Sequence, residues 1–109
     1  MITVLTPSYN RGDLLKNLYQ SLRDQIFDDF EWIVVDDGST DSTSEIITHF
    51  KEDKKIVIKY IKQSNGGKHT AINAGVKIST GELIIIVDSD DTLPKDSLLI
   101  INKKKKKIR

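Results

Sequence analysis

The chain reads as an α/β domain, a parallel sheet with helices on both faces. Three observations predict it. Short apolar runs alternate with longer stretches that are apolar at about 3.6-residue spacing, in the order βαβαβαβ. Three of the apolar runs end in polar clusters: Thr6-Pro7-Ser8-Tyr9-Asn10, Asp36-Asp37-Gly38-Ser39-Thr40 and Asp88-Ser89-Asp90-Asp91. A parallel sheet collects such strand ends on one rim, where open α/β sheets bind ligands. The run Leu83-Ile84-Ile85-Ile86-Val87 is rich in β-branched residues, as expected of a strand buried on both faces.

Each element has its own signal. Residues 2–6 are the first strand. Asp13 precedes Leu14, Leu15, Leu18, Leu22 and Ile26, which predicts a helix over 13–26 with Asp13 as its cap. Phe30, Trp32, Ile33, Val34 and Val35 mark a strand over 30–35, with Trp32 in the core. Ser39, Thr40 and Asp41 offer caps for a helix near 42–51, with Ile46, Ile47 and Phe50 facing inward. Residues 56–61 are the third strand. Ala71, Ala74, Gly75 and Ile78 fall on one helical face and predict a helix near 68–79. Residues 83–87 are the fourth strand. Pro94 suits a first helical turn, and 98–101 read as a short final helix.

Composition bounds the function. The 109 residues suffice for one core, and 38% apolar with 30% charged content is that of a water-soluble domain. No apolar run approaches the roughly 20 residues needed to span a bilayer, and no signal peptide is read. The absence of cysteine excludes disulfides and thiolate metal sites. Lys103 to Lys107 and Arg109 raise the net charge from −5 over residues 1–102 to +1 overall. Residues 1–102 are therefore read as the domain, and 103–109 as a basic, disordered tail. An acidic body does not suggest nucleic acid as a partner. A cytoplasmic location is expected.

The chemistry lies in the clusters. Three carboxylates within four positions, Asp88, Asp90 and Asp91, repel one another unless a cation is shared. Hard oxygen ligands that leave positions open suit Mg²⁺ or Mn²⁺ bound partly through a substrate's phosphates. The plain alternative is a polar turn with Asp91 as its cap. Asp36 or Asp37 can accept a hydrogen bond from a base or ribose, and Gly38 lets the chain turn sharply. Tyr9 can stack on a base while its hydroxyl stays wet. Gly66-Gly67-Lys68 opens a helix whose N-terminus attracts anions, with Lys68 able to pair a phosphate. Asn73 lies about one turn further along. This is not a P-loop: Lys62 stands where the first glycine belongs and His69 where Ser or Thr is required. His49, His69 and Arg11 read as solvated surface residues.

Taken in order, Thr6-Pro7-Ser8-Tyr9-Asn10, Phe30 through Asp41, Asn65-Gly66-Gly67 with Ala71-Ile72-Asn73-Ala74-Gly75, and Thr80-Gly81-Glu82 leading to Asp88-Ser89-Asp90-Asp91 resemble the family 2 glycosyltransferases of the GT-A fold. The resemblance implies the Rossmann-like nucleotide-binding half of that fold. It implies inverting transfer of a sugar from a nucleoside diphosphate, most often UDP. Asp37 would then hold the base, flanked by Tyr9 and by the Thr6 and Pro7 backbone. Asp90 would bind Mn²⁺ or Mg²⁺, Asp88 would reach the ribose or the metal, and Ser89 would complete that Asp-x-Asp motif. Lys68 and Asn73 would lie beside the donor. The acceptor would be a saccharide or a lipid-linked species, which brings peripheral contact with the inner membrane face within the expectation.

Such enzymes continue well beyond their metal motif, and their general base is a later carboxylate. After Pro94 only Asp96 is available, too near the motif to fill that place. The sequence is therefore read as a truncated donor-binding half, inactive alone. Two alternatives are carried. Asp88, Asp90 and Thr92 resemble the opening motif of haloacid-dehalogenase-like phosphatases, with Asp88 as nucleophile. The chain could also be a non-catalytic remnant whose uncovered sheet edge drives homodimer formation.

Overall fold

The computed structural model describes the backbone of residues 1–107 and the side chains of residues 1–104. Four strands and four helices alternate: β1 (Ile2–Ser8), α1 (Gly12–Arg23), β2 (Phe30–Asp36), α2 (Thr43–Glu52), β3 (Val57–Lys62), α3 (Lys68–Ile78), β4 (Leu83–Ile86) and α4 (Ser97–Lys107). The strands form one parallel sheet in the order β3-β2-β1-β4. The chain winds outward from β1 through β2 to β3, then returns to the other side of β1. The crevice between the carboxyl ends of β1 and β4 is therefore the switch point of the sheet.

Side-chain alternation sorts the core into two layers. Ile2 and Val4 of β1, with Trp32 and Val34 of β2, face α1, α2 and α4. There they meet Leu15, Leu18, Ile47, Phe50 and Leu98. Tyr19 and Phe50 stack at 4.1 Å with nearly parallel rings, and Trp32 lies beside both. Ile33 and Val35 face the other way, onto Ala71, Ala74 and Ile78 of α3. The close seat of α3 requires Gly75: a Cβ there would fall 2.5 Å from Leu5 Cδ1.

Glu31 is buried at the amino end of β2. Its carboxylate accepts from Lys59 Nζ at 2.8 Å, Thr3 Oγ1 at 2.6 Å and the Thr80 backbone N–H at 2.7 Å. Burial pushes this carboxyl up, but the bonds from Lys59, Thr3 and Thr80 outweigh it and hold it down to about 2.

The structure corrects four expectations. Asp13 does not cap α1. It is exposed and pairs with Lys16, while Asp41 takes the first N–H of two helices, Gly12 at 3.2 Å and Thr43 at 3.1 Å. Ile26 lies beyond α1 and is 59% exposed, because its backbone turns away to bond Lys95. β4 is not buried on both faces: Leu83, Ile84 and Ile85 are half-buried and Ile86 is 48% exposed. The reason is position: among the described residues β4 pairs with β1 alone, while α3 packs chiefly over β1 and β2. Finally, Lys103 to Lys107 continue α4 instead of forming a disordered tail. Lysine is a good helix former, and neither Gly nor Pro interrupts the run. Residues 108 and 109 of the expected tail lie outside the described residues. No helix among the described residues is long and apolar enough to cross a membrane.

Candidate functional site

The rim at the switch point carries a cleft of about 380 Å³. Its walls come from the three polar strand ends and the start of α3. Pro7, Ser8, Tyr9 and Arg11 follow β1; Asp37 follows β2; Asp88, Ser89 and Asp90 follow β4; Lys68 and Ala71 belong to α3.

The two acids at the carboxyl end of β2 have separate surroundings. Asp36 is fully buried and accepts from the Ser39 N–H at 2.8 Å and from the Tyr60 hydroxyl at 2.5 Å. Burial and the bond to Asp36 raise the Tyr60 hydroxyl well above its ordinary range. Asp37 faces the cleft. Its Oδ1 accepts from Gln63 Nε2 at 2.9 Å and the Gly66 N–H at 2.8 Å, and its Oδ2 from the Gly67 N–H at 2.9 Å. The bonds from Gln63, Gly66 and Gly67 hold this carboxyl below the usual carboxylate range, against its burial. Each carboxylate oxygen has two lone pairs, so Oδ2 retains one for a ligand N–H or O–H. Gly38, at φ +84°, turns the backbone away from Asp37, and a Cβ there would meet Asn65 N at 3.2 Å.

Asn10 ties the first loop to the second from a left-handed backbone, φ +49°. Its Oδ1 accepts from the N–H groups of Thr40 at 2.8 Å and Asp41 at 3.2 Å, and its own N–H donates to Ser39 Oγ at 2.8 Å. The residues on either side, Tyr9 and Arg11, thereby point to the cleft wall. Tyr9 is 46% exposed, a ring left uncovered at the mouth. Ser8 is buried on the same wall, and its hydroxyl has no partner among the described residues.

The third loop holds the acids. The Asp91 N–H donates to the Asp88 carbonyl at 3.1 Å, and this turn folds one carboxylate oxygen each of Asp88, Asp90 and Asp91 to within 4.8 Å of one another. An all-oxygen set at a solvent-facing rim fits Mg²⁺ or Mn²⁺, which retain water or phosphate ligands, better than Zn²⁺. Cations already border it: Lys68 Nζ lies 2.9 Å from Asp88 Oδ1, and Arg11 Nη1 lies 3.9 Å from Asp90 Oδ2.

Seven of the residues singled out in the sequence thus share the cleft: Pro7, Tyr9, Asp37, Lys68, Asp88, Ser89 and Asp90. Two stand off its walls. The Thr6 side chain is buried beneath, its hydroxyl accepting from Trp32 Nε1 at 2.9 Å, and Asn73 is exposed on α3. His49 and His69 are exposed and take no part in the acidic group. Ser8, Ala71 and Arg11 join the cleft unannounced. Arg11 read as solvated, although its place three residues past a rim-forming strand was the available signal.

Comparison with known proteins identifies the family. Residues 3–107 match the family described as Glycosyl transferase family 2. Glycosyltransferase GlyA of Streptococcus pneumoniae is 38% identical over 94% of the chain. The chain also superposes on S. aureus TarS 1–349 in complex with UDP-GlcNAc, with a TM-score of 0.90 and 34% identity over 97% of its length. The mannosyltransferase PcManGT of Pyrobaculum calidifontis, in complex with GDP-Man and Mn²⁺, superposes over 90% of the chain with a TM-score of 0.83 and 28% identity. The chain spans 15% of GlyA, 31% of that TarS chain and 30% of PcManGT. These matches set aside the dehalogenase-like reading of Asp88, Asp90 and Thr92. The chain belongs to glycosyl transferase family 2, and its parallel α/β sheet is of the GT-A type.

Proposed function

We propose that these residues form the donor site of an inverting glycosyltransferase that binds a nucleoside diphosphate sugar, UDP-linked by preference, together with Mn²⁺ or Mg²⁺. One observation carries the reading. A single cleft is lined by an uncovered aromatic ring, by a carboxylate with one lone pair left over, and by an acidic group bordered by Lys68 and Arg11. A base, a ribose and a diphosphate require that set of surfaces.

The chain's own residues supply recognition and orientation. Tyr9 offers a π-face to the base. Asp37, held ionised by its loop, accepts the imide N–H of uracil on Oδ2. Asp88 would reach the ribose or the metal, with Ser89 between it and Asp90. Asp90 and Asp88, with Asp91 alongside, would hold the divalent ion. Bound there, such an ion neutralises charge on the diphosphate leaving group. Lys68 and Arg11 add positive charge beside the same oxygens. A saccharide or lipid-linked acceptor completes the reaction in this reading.

The test is calorimetric titration of UDP into the chain with Mn²⁺ and then with EDTA. Binding that requires the metal and disappears in Asp90→Ala supports the proposal. A folded chain that binds no UDP in Mn²⁺ would overturn it.

A further inference from the structure

Arg11 and Lys68 bond the very carboxylates that a divalent ion would use. Lys68 Nζ sits 2.9 Å from Asp88 and Arg11 Nη1 sits 3.9 Å from Asp90. Both cations line the cleft, and both remain more than half exposed, so neither is locked in place by packing. They come from different elements. Arg11 precedes the first residue of α1, held by the Asn10 clip, and Lys68 is the first residue of α3.

A divalent ion entering between Asp88 and Asp90 competes with both side chains for the same oxygens. It also places two positive charges within reach of them. Both effects push the guanidinium and the ammonium away from the acids. Diphosphate oxygens bound in the cleft would give both cations a new partner. Arginine's planar fork suits two phosphate oxygens at once, and lysine acts as a point charge.

We propose that Arg11 and Lys68 are exchange cations: they neutralise Asp90 and Asp88 until a divalent ion displaces them, and then bind the donor's diphosphate. Metal and nucleotide are thereby coupled through two side chains as well as through direct coordination. Resting on the donor-site reading, this inference adds an exchange of partners by Arg11 and Lys68 between the acids and the phosphates. It also explains why cations border the acidic group at all.

The exchange makes two predictions of opposite sign for one substitution. Arg11→Gln removes a competitor of the metal, so Mn²⁺ alone binds about 2- to 5-fold more tightly, the range expected of an exposed ion pair. The same variant loses a diphosphate partner, so UDP at saturating Mn²⁺ binds roughly 10-fold more weakly. Lys68→Gln behaves alike. Arg11→Lys returns the Mn²⁺ affinity to that of the unaltered chain and recovers only part of the UDP affinity. Uridine, which lacks phosphate, binds all these variants equally. Lys16→Gln, at an exposed ion pair on α1, serves as the control and changes nothing.

Titrations of Mn²⁺, UDP and uridine into each variant of the chain decide it. Tighter Mn²⁺ with weaker UDP supports the exchange. Unchanged or weaker Mn²⁺ binding in both Gln variants overturns it, as does an equal loss for UDP and uridine, which would make Arg11 a residue that merely shapes the loop. Failure of the unaltered chain to bind UDP would instead overturn the donor-site reading itself.

Discussion

Gly67 donates its backbone N–H to Asp37 Oδ2 at 2.9 Å from a backbone of φ +91° and ψ 169°. Only glycine adopts that conformation without strain. A loop conformation thus fixes the orientation of the acid assigned to the base, and it does so at the residue just before α3. Space is not the constraint, since a Cβ at Gly67 would meet nothing within 4 Å.

Gly67→Ala therefore tests conformation free of sterics. We expect a loss of about 1–3 kcal/mol in stability, or an equivalent loosening of the loop. UDP affinity falls with it, because Asp37 loses the bond that orients Oδ2. Urea unfolding beside UDP titration measures both.

Asn10 separates two contributions in the same way. Asn10→Gly keeps the left-handed backbone and loses the bonds to Thr40 and Asp41, at a cost of about 1 kcal/mol. Asn10→Ala loses those bonds and also strains φ, for about 1 kcal/mol more. Both weaken UDP binding by freeing Tyr9 and Arg11. Equal stabilities of the two variants would show that the backbone at Asn10 is unstrained.

Glu31 predicts an acid dependence. Its folded value, about 2, lies below that of an unfolded carboxyl. The stability it contributes is full above the unfolded value of roughly 4.3 and is lost as pH falls towards 2. The contribution at neutral pH is on the order of 3 kcal/mol. Glu31→Gln should remove most of it at pH 7 and should flatten the loss between pH 4 and 2. Urea midpoints measured across that range check it.

The sequence carried the fold well because its signals were periodic. The apolar runs of β1 and β2 and the 3.6-residue spacing of Leu15, Leu18 and Leu22 each answer to a core they touch. It misplaced what depends on the sheet's order. The run 83–87 has the composition of a central strand, yet among the described residues β4 pairs with β1 alone, and composition does not encode which strand pairs with which. Capping failed for a related reason. Asp13 has the right spacing for α1, but Asp41, 28 positions later, occupies the helix N-terminus from another loop. At the cleft, residues flanked by a strand end were legible: Tyr9, Asp37, Asp88 and Asp90. Arg11 was not, because its partner Asp90 becomes a neighbour only when β1 and β4 pair.

In the proposed donor site one cleft orders a base, a diphosphate and a divalent ion along these residues. The most direct measurement is a crystal structure of the chain grown with UDP and Mn²⁺. The account predicts the uracil between Tyr9 and Asp37, its imide on Asp37 Oδ2, the ion on Asp90 and Asp88, and the diphosphate within reach of Lys68 and Arg11. A nucleotide bound elsewhere, or one in the cleft with its base at the acidic loop and its phosphates at Asp37, would contradict it.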